Sequence, residues 1–403
     1  MIVLFLIVFV AMVGFGIILP IFPFYAERVG ASPTVITWTM AAFTLGQAVA
    51  APLWGRASDA YGRRIVLIVT MLGSSLAYVM LALADTLTLV IASRVLGGLM
   101  AGNISTAFAY VSDITTDEDR SASLGKIGAA MGLGFIFGPA LGGLLAGTDV
   151  ETANFVVPAL AAAGISLVAM IGTILFLPES LPPEHRTPMF GAHPDQDHPA
   201  SLAALNRAGL MTLLVAALVF YVGMAQMESI FPLWAKDVFG MGPRDIGVVF
   251  FVLGGIQVLM QGGLIGPLTR RFGDKAVATG AGFCFAIGLI GLAAASDGWH
   301  VWAALLPFGI GAGLFNPVLS SMVSKTASNT ERGAIMGRYQ SASATGRVIG
   351  PIICGPLYTF VGTGAPFVLG AAIMVPVLML LWQFRVRPVA LSTAHAVAQP
   401  DQD

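Results

Sequence analysis

Long apolar stretches separated by short polar segments dominate the chain, and this pattern predicts an all-α transmembrane protein. Each of twelve stretches has about 20 or more residues, enough for a helix to cross the hydrocarbon core of a bilayer. Apolar residues run continuously in these stretches and do not alternate as in a membrane β-barrel. The predicted spans are 3–26, 34–54, 64–84, 87–112, 121–147, 154–177, 208–235, 244–268, 275–296, 299–324, 333–361 and 364–385.

A polar segment rich in Pro, His, Asp and Glu divides the spans into six and six. It runs over 178–207, and we interpret it as a cytoplasmic linker between an N-terminal six-helix bundle at 1–177 and a C-terminal six-helix bundle at 208–385. We expect the polar tail at 386–403 to be disordered and cytoplasmic. The histidines of the linker are spaced by eight and five residues, which matches no helical face, so we expect no metal site. They are His185, His193 and His198.

The composition agrees with a protein whose solvent is lipid. Apolar residues make up 57% of the chain and charged residues only 10%, against about 25% charged residues in a typical soluble domain. The formal net charge of -1 gives no basic surface for a nucleic-acid partner. The sequence contains no glycine-rich nucleotide-binding loop, so we expect no nucleotide and no other cofactor.

The distribution of basic residues predicts the orientation in the membrane, because Lys and Arg are retained on the cytoplasmic side. If the N-terminus is inside, fifteen of the 20 Lys and Arg fall in cytoplasmic segments. Only Arg28, Lys236 and Arg244 fall outside, and Arg94 and Arg347 lie within spans. We therefore predict a multi-pass protein of a bacterial inner membrane with both termini in the cytoplasm.

The two predicted bundles carry the same pattern of glycine and proline. Five positions of the fifth span recur 212 residues later in the eleventh, and two glycines after the second span recur at an offset of 211. Two pseudo-equivalent six-helix halves are typical of transporters, whose substrate site lies near the bilayer midplane between the halves. The repeated positions are Gly125, Gly134, Gly138, Pro139 and Gly143 with Gly337, Gly346, Gly350, Pro351 and Gly355, and Gly55 and Gly62 with Gly266 and Gly273.

The loop after the second span combines glycines with charged residues. Its glycines permit a tight turn between antiparallel helices. Asp59 can accept hydrogen bonds from a neighbouring helix N-terminus, and Arg63 can pair with a carboxylate at the end of another helix. We therefore predict a latch that closes the cytoplasmic side. The loop reads Gly55-Arg56-Ala57-Ser58-Asp59-Ala60-Tyr61-Gly62-Arg63-Arg64.

This loop resembles the signature of the major facilitator superfamily, Gly-x-x-x-Asp-Arg-x-Gly-Arg-Arg or Lys. One position differs, since Ala60 stands where the family usually has Arg. The resemblance implies the twelve-helix facilitator fold and a pair between the arginine of the loop and Asp113 at the end of the fourth span. In the second half Arg270 replaces the aspartate, so latching is expected to depend on the first copy. The matching residues are Gly55, Asp59, Gly62, Arg63 and Arg64.

The fifth span contains small residues at a regular spacing. Small residues four apart let another helix approach closely, and Pro139 removes a backbone hydrogen bond where the helix can bend. The spacing resembles the antiporter motif of the drug/proton branch of the superfamily, Gly-x8-Gly-x3-Gly-Pro-x2-Gly-Gly, which implies export. Generic small-residue packing is the alternative interpretation. The matching residues are Gly125, Gly134, Gly138, Pro139, Gly142 and Gly143.

Two ionisable residues inside spans are candidates for proton coupling, because a charge in the membrane usually marks a transport pathway. Glu228 is the one acid well inside a span, and it suits a proton carrier or an anchor for a cationic group. Arg94 opens a stretch that resembles the family's Arg-x-x-x-Gly motif, to which a part in proton transfer is attributed. Because Glu228 and Arg94 lie at similar depths in the membrane, we expect them to face each other across an outer cavity. A snorkelling Arg94 and a structural or surface Glu228 are the alternatives.

The first span lacks the aspartate that the related tetracycline/proton antiporters carry there, since this chain has Val10-Ala11-Met12-Val13-Gly14-Phe15-Gly16. Proton coupling must then depend on Glu228 or on Asp113. Aromatic, Met and amide side chains of the spans around them suit amphipathic, loosely specified ligands. The candidates for a substrate cavity are Tyr25, Gln47, Asn103, Tyr221, Met224, Met227, Phe231, Gln257 and Asn316.

These residues predict a secondary transporter that exports small amphipathic organic molecules in exchange for protons by alternating access. Its expected partners are the substrate, protons and the lipid bilayer, and we expect a monomer. Proton-coupled uptake of a sugar or metabolite is the alternative within transport. A membrane-embedded enzyme or sensor would need clustered Ser, His and Asp or metal ligands within the spans, where the sequence has only isolated ionisable residues.

Overall fold

The computed structural model describes residues 1–189, 209–327 and 331–383. Twelve long helices make up these ranges, joined by short turns. The first six are α1 Ile2–Arg28, α2 Pro33–Tyr61, α3 Arg63–Ala82, α4 Leu87–Ile114, α5 Asp117–Ala146 and α6 Val156–Phe176. The second six are α7 Leu210–Phe239, α8 Pro243–Phe272, α9 Asp274–Ala293, α10 Gly298–Lys325, α11 Arg332–Phe360 and α12 Ala365–Gln383.

Each predicted span corresponds to one of these helices. Among the described residues, eleven of the helices are long and apolar enough to cross a membrane. The twelfth, α11, is as long but carries Arg332, Arg338 and Arg347. The described part of the predicted linker is a short extended segment with a 3₁₀ turn at Pro183–His185. Residues 190–207, with His193 and His198, and the predicted tail at 386–403 lie outside the described residues.

Two helices are interrupted within their length. A 3₁₀ turn at Ala101–Asn103 divides α4, and a π turn at Met260–Leu264 divides α8. Each interruption changes the direction in which the following side chains point. The turns after α2 and α8 match each other, because Gly62 and Gly273 both adopt a positive φ, 104° and 79°. Only glycine adopts this conformation without steric cost, so the repeat seen in the sequence is also a repeat of backbone shape.

The glycine repeat places equivalent helices in close contact within each half. In the N-terminal half, a Cβ atom added to Gly138 of α5 would lie 2.6 Å from the Cα atom of Gly16 of α1. In the C-terminal half, a Cβ added to Gly350 of α11 would lie 2.6 Å from the carbonyl oxygen of Val222 of α7. The pairs α1–α5 and α7–α11 are therefore equivalent, and both need glycine at the contact.

The halves meet through two further equivalent pairs, α5–α8 and α2–α11. A Cβ added to Gly143 of α5 would lie 2.6 Å from the carbonyl oxygen of Pro243 of α8. A Cβ added to Gly355 of α11 would lie 2.7 Å from the Cα atom of Thr34 of α2. Both contacts are at the end of the bundle where α1 ends and α2 begins, which we call the Arg28 end.

Polar contacts join the halves at the same end. The Trp38 side chain donates from Nε1 to the carbonyl oxygen of Ile352 at 3.1 Å, and Lys236 of α7 forms an ion pair with Glu27 of α1. At the opposite end, where α2 ends and α3 begins, the glycines of α5 and α11 have open space around them. We call this the Arg63 end. The open positions are Gly125, Gly128, Gly333 and Gly337. The described helices are thus joined at the Arg28 end, whereas these four glycines of α5 and α11 lie outside helix contacts at the Arg63 end.

Candidate functional site

A cavity with two lobes lies between the halves, and the lobes share Leu19, Phe135, Glu228 and Arg347. Their volumes are about 80 Å³ and about 150 Å³, below the roughly 300–1,000 Å³ of a site that encloses a drug-sized ligand. A larger substrate therefore requires wall side chains to move. The Arg94 lobe is also lined by Phe15, Phe22, Met40, Phe43, Thr44, Gln47, Arg94, Ala225, Ser229 and Pro351. The Tyr221 lobe is also lined by Pro139, Phe220, Tyr221, Met224, Met227, Phe250, Leu253, Gly254, Gln257, Gln261, Phe308, Ala312 and Asn316.

Glu228 occupies the centre of this cavity, since it lines both lobes. It lies near the middle of α7, one turn before Pro232, which breaks the hydrogen-bond ladder of the helix. The ion pairs of the described residues do not include Glu228. Its carboxyl group is therefore open to the cavity and able to exchange a proton or to meet a ligand. Of the alternative interpretations, a surface position does not match this placement.

Arg347 is a cavity residue that the sequence reasoning missed. It comes from α11, lines both lobes with Glu228, and holds its guanidinium 4.7 Å from the centre of the Tyr221 ring. The available signal was that Arg347 is one of the two basic residues assigned neither to a cytoplasmic segment nor to an external one. Pro23 and Pro232 match at an offset of 209, and at this offset Glu228 aligns with Leu19. At the offset of 212 of the fifth and eleventh spans, Arg347 aligns with Phe135. Glu228 and Arg347, two charged residues of the C-terminal half, thus line the cavity together with their apolar equivalents of the N-terminal half, Leu19 and Phe135.

Arg94 is buried in the wall of the cavity and does not snorkel to the membrane surface. Only 5% of the residue is exposed. Its guanidinium carbon lies 5.4, 5.3 and 5.9 Å from the ring centres of Phe22, Phe43 and Tyr78. Its Nε and Nη2 atoms have no hydrogen-bond partner among the described residues. Arg94 and Glu228 both line the Arg94 lobe, which lies between two halves that are joined at the Arg28 end.

Six of the predicted cavity residues line the cavity. Gln47 lines the Arg94 lobe and donates to the carbonyl oxygen of Ala101 at 3.2 Å. The other five surround the Tyr221 lobe with two amides, two flexible thioethers and a phenol. These are Tyr221, Met224, Met227, Gln257 and Asn316.

Three predicted cavity residues have structural contacts elsewhere. The hydroxyl of Tyr25 donates to the carbonyl oxygen of Leu81 at 2.8 Å and so ties α1 to α3. Asn103 donates from Nδ2 to the hydroxyl of Thr70 at 2.8 Å, between α4 and α3. Phe231 is fully buried against other rings of the C-terminal half. Sequence position gave the depth of these residues in the spans but not the side of the helix they occupy.

The charged residues of the predicted latch form one cluster at the Arg63 end. The Arg63 side chain is buried, donates from Nε to Asp113 Oδ2 at 3.1 Å, and forms a second ion pair with Asp59. Asp113 also accepts from the hydroxyl of Ser180 at 2.9 Å. Asp59, Arg63 and Asp113 belong to the N-terminal half and Ser180 to the linker, so the cluster holds α2, α3 and α4 together in this conformation. It lies apart from the residues that line the cavity, and Asp113 is therefore not a neighbour of Glu228.

The carboxylate at the start of α3 is Glu179, not Asp59. Glu179 Oε1 accepts from the backbone N–H of Arg63 at 2.8 Å, and Oε2 accepts from that of Arg64 at 3.2 Å. A carboxylate stabilises the positive end of the helix dipole at this position. A side chain at Gly62 would collide with Glu179, which gives a second reason for glycine there. Glu179 follows α6 directly, and no feature of its sequence surroundings distinguished it from other linker acids.

The C-terminal half has an ion pair at the position of Arg63 and Asp113, with the charges exchanged. Asp274, 211 residues after Arg63, pairs with Lys325, 212 residues after Asp113. The pair joins the start of α9 to the end of α10, as the first pair joins α3 to α4. Arg270 does stand at the position equivalent to Asp59. The C-terminal half nevertheless has an ion pair between α9 and α10, the helices equivalent to α3 and α4.

The glycines of the predicted antiporter motif differ in which helix they contact. Side chains at Gly134, Gly138 or Gly142 would collide with α1, whereas one at Gly143 would collide with α8. Gly125 belongs to the same motif but has open space around it. The motif therefore joins one helix of its own half and one helix of the other half. The close packing of these glycines is compatible with a role of the motif in conformational change.

No group of three His, Cys, Asp or Glu among the described residues is close enough to hold a metal ion.

The family model of the Major Facilitator Superfamily matches residues 4–306 and 262–400. The chain belongs to this superfamily. As a facilitator it is a multi-pass membrane protein that transports small molecules and is not an enzyme.

Similar proteins include resistance proteins of the same superfamily. The chain is 29% identical over 376 residues to multidrug resistance protein 2 of Bacillus subtilis, covering 91% of this facilitator and 90% of that protein. It is 28% identical over 372 residues to the class C tetracycline resistance protein of Escherichia coli, covering 90% and 91%. The crystal structure of the human organic anion transporter MFSD10 has the same fold, with a TM-score of 0.69 at 23% identity over 94% of this chain and 98% of that one.

Proposed function

We propose that the protein is an exporter of small amphipathic organic molecules in a bacterial inner membrane, driven by exchange for protons. The observation that carries this proposal is the placement of Glu228, the one carboxylate among the described residues that lines the cavity between the halves. A proton and a substrate that compete for the same carboxylate cannot occupy it together. If the halves change conformation only with one of them bound, the proton gradient drives the substrate in the opposite direction.

Alternating access supplies the movement. Close contacts join the halves at the Arg28 end, whereas four glycines of α5 and α11 lie outside helix contacts at the Arg63 end. The predicted orientation places the Arg63 end in the cytoplasm. The structure then corresponds to an inward-facing state, in which the cavity can take substrate from the cell. To open outward, the contacts of Gly143 with Pro243 and of Gly355 with Thr34 must separate, together with the ion pair between Lys236 and Glu27. Rocking of one half against the other is the expected motion.

The remaining candidate residues take separate roles in this proposal. We assign proton exchange to Glu228 and remove Asp113 from it, because Asp113 is held by Arg63 and Ser180 at the Arg63 end. The latch cluster is assigned to conformational stability of the N-terminal half. The boundaries at 177 and 208 remain those of the two bundles in this proposal, and the protein acts as a monomer because each chain has its own complete cavity.

The experiment is a screen on everted membrane vesicles whose lumen has been acidified by respiration. Addition of a substrate should release protons from the lumen, seen as recovery of the fluorescence of a quenched acridine dye. Vesicles with Glu228→Gln protein at equal abundance are the matched control and should show no recovery. The proposal fails if compounds that the protein demonstrably moves leave the gradient unchanged, or if whole cells accumulate them in place of exporting them.

A further inference from the structure

The two halves differ in charge at the Arg63 end. The repeat makes the comparison direct, because segments 55–64 and 113–126 of the N-terminal half are equivalent to segments 266–275 and 325–338 of the C-terminal half. The first two segments contain five basic and five acidic residues, a net charge of zero. The second two contain six basic and two acidic residues, a net charge of +4. Cytoplasmic retention of Lys and Arg accounts for the basic residues of both halves, but not for the lack of acids in one of them.

Much of the excess positive charge lies outside ion pairs. Lys325 pairs with Asp274, which places the end of α10 beside the start of α9. Arg270, Arg271 and Lys275 form no ion pair with any described residue. The ion pair therefore brings the two basic segments together at one side of the C-terminal half. We call this surface, formed by Arg270, Arg271, Lys275 and Lys325, the basic edge.

Exposed apolar side chains lie directly beside the basic edge, on the last turns of α8. No residue of α8 from 254 to 272 is buried within the protein. Leu264 and Phe272 are 46% and 57% exposed, and the guanidinium carbon of Arg271 lies 5.4 Å from the centre of the Phe272 ring. Basic side chains next to exposed apolar ones are typical of a membrane interface, because the charges reach the headgroups while the apolar groups contact acyl chains.

We propose that the basic edge binds the headgroup of an anionic phospholipid in the membrane. The phosphate of such a lipid accepts charge-assisted hydrogen bonds from Arg and Lys, and its acyl chains contact the apolar surface that includes Phe272. A zwitterionic phospholipid fits less well, because its ammonium group adds a positive charge beside the unpaired basic residues. The site lies outside the cavity between the halves, so the inference does not depend on the proposed export.

The acidic residues of the N-terminal half are a different partner for the basic edge, which they would reach if the halves rocked together at the Arg63 end. They fit less well than a lipid for two reasons. Asp59 and Asp113 already hold Arg63. An acidic protein segment also leaves the exposed side chains of Leu264 and Phe272 without an apolar partner.

The proposal is tested on purified full-length protein in an uncharged detergent. Phosphatidylglycerol, or phosphatidylcholine with the same acyl chains, is titrated in while the melting temperature is recorded, because a ligand of the folded state raises it. We expect phosphatidylglycerol to act at lower concentrations than phosphatidylcholine. Arg270→Gln/Lys275→Gln protein should need about 25-fold more phosphatidylglycerol for the same rise, at about fivefold for each basic residue removed. Without lipid its melting temperature should equal that of wild type, which shows that the variant is folded.

Arg56→Gln/Lys126→Gln is the matched control. It also removes one exposed arginine and one exposed lysine, but from the segments of the N-terminal half in which acids balance the basic residues. This variant should respond to phosphatidylglycerol as wild type does. A high salt concentration should weaken the preference of wild-type protein for phosphatidylglycerol, because salt screens exposed charges. Glycerol 1-phosphate should not raise the melting temperature, because it has the phosphate but no acyl chains.

Equal stabilisation of wild-type protein by the two lipids would overturn the inference, and so would an equal loss of the phosphatidylglycerol effect in both double variants. If glycerol 1-phosphate stabilised the protein as well as the lipid does, the basic edge would be a site for a soluble anion. If Arg270→Gln/Lys275→Gln slowed export in vesicles but left the lipid preference intact, the partner of the basic edge would be the acidic residues of the N-terminal half.

Discussion

Replacing Gly138 with leucine should abolish export, and the structure gives the size of the effect. A Cβ atom at this position would lie 2.6 Å from the Cα atom of Gly16 and 2.8 Å from the carbonyl oxygen of Val13. Non-bonded carbon atoms rest at about 3.5–4.0 Å, so the first side-chain atom already overlaps by about 1 Å. The rest of the leucine side chain has no space, and α1 must move away from α5. Overpacking of this kind costs about 1–3 kcal/mol.

Gly125→Leu is the matched control, because it changes the same motif on the same helix at a position with open space. Both variants should be compared with wild type for abundance in membranes, for melting temperature in detergent and for export from everted vesicles. The structure predicts that Gly138→Leu lowers the melting temperature and stops export, whereas Gly125→Leu leaves the melting temperature unchanged. Normal export and stability of Gly138→Leu protein would refute the packing argument. Equal damage from both variants would show that the motif acts by something other than helix contact.

Three further changes test the charged residues of the Arg63 end. Asp59→Asn should slow export without lowering membrane abundance, because it removes one of the carboxylates that hold Arg63; wild-type turnover would remove Asp59 from the latch. Asp274→Lys should impair export, and adding Lys325→Asp should restore it by rebuilding the pair with reversed charges; failure of the double variant to recover would count against a latch in the second half. Glu179→Gln should lower stability in thermal denaturation by about 0.3–1 kcal/mol, the usual value of an acid at a helix N-terminus, and an unchanged melting temperature would contradict that assignment.

The fold was predictable from sequence because lipid exposure imposes one requirement on every span, a continuous apolar stretch about 20 residues long. That requirement placed most helix boundaries within a few residues, as for α3, predicted at 64–84 and observed at Arg63–Ala82. The end of α2 is an exception, because it was predicted at 54 and lies at Tyr61. The π turn at Met260–Leu264 was not predictable, because its sequence is as apolar and as rich in glycine as the helix around it. Hydropathy reports the length of a helix but not its local winding.

The cavity was predictable only in part, because sequence gives the depth of a residue in a span and not the side of the helix that faces the other half. Tyr25 and Glu228 were both expected in the cavity, and only Glu228 lines it. Arg347 was recognised as a charge within a span, but its role required the packing of α11 against α7. The ion pair of Asp274 and Lys325 was missed because residue-by-residue comparison of the repeats looks for identity, whereas here the interaction persists with its charges exchanged.

The most direct test of the account uses Glu228→Gln protein reconstituted in liposomes with a substrate found in the vesicle screen. Glutamine imitates a permanently protonated Glu228, so the variant should still exchange labelled for unlabelled substrate across the membrane in the absence of a gradient. It should fail to concentrate substrate when a proton gradient is imposed, while wild-type protein succeeds in both assays. Gradient-driven accumulation by Glu228→Gln protein at the wild-type rate would contradict the account and remove Glu228 from proton coupling.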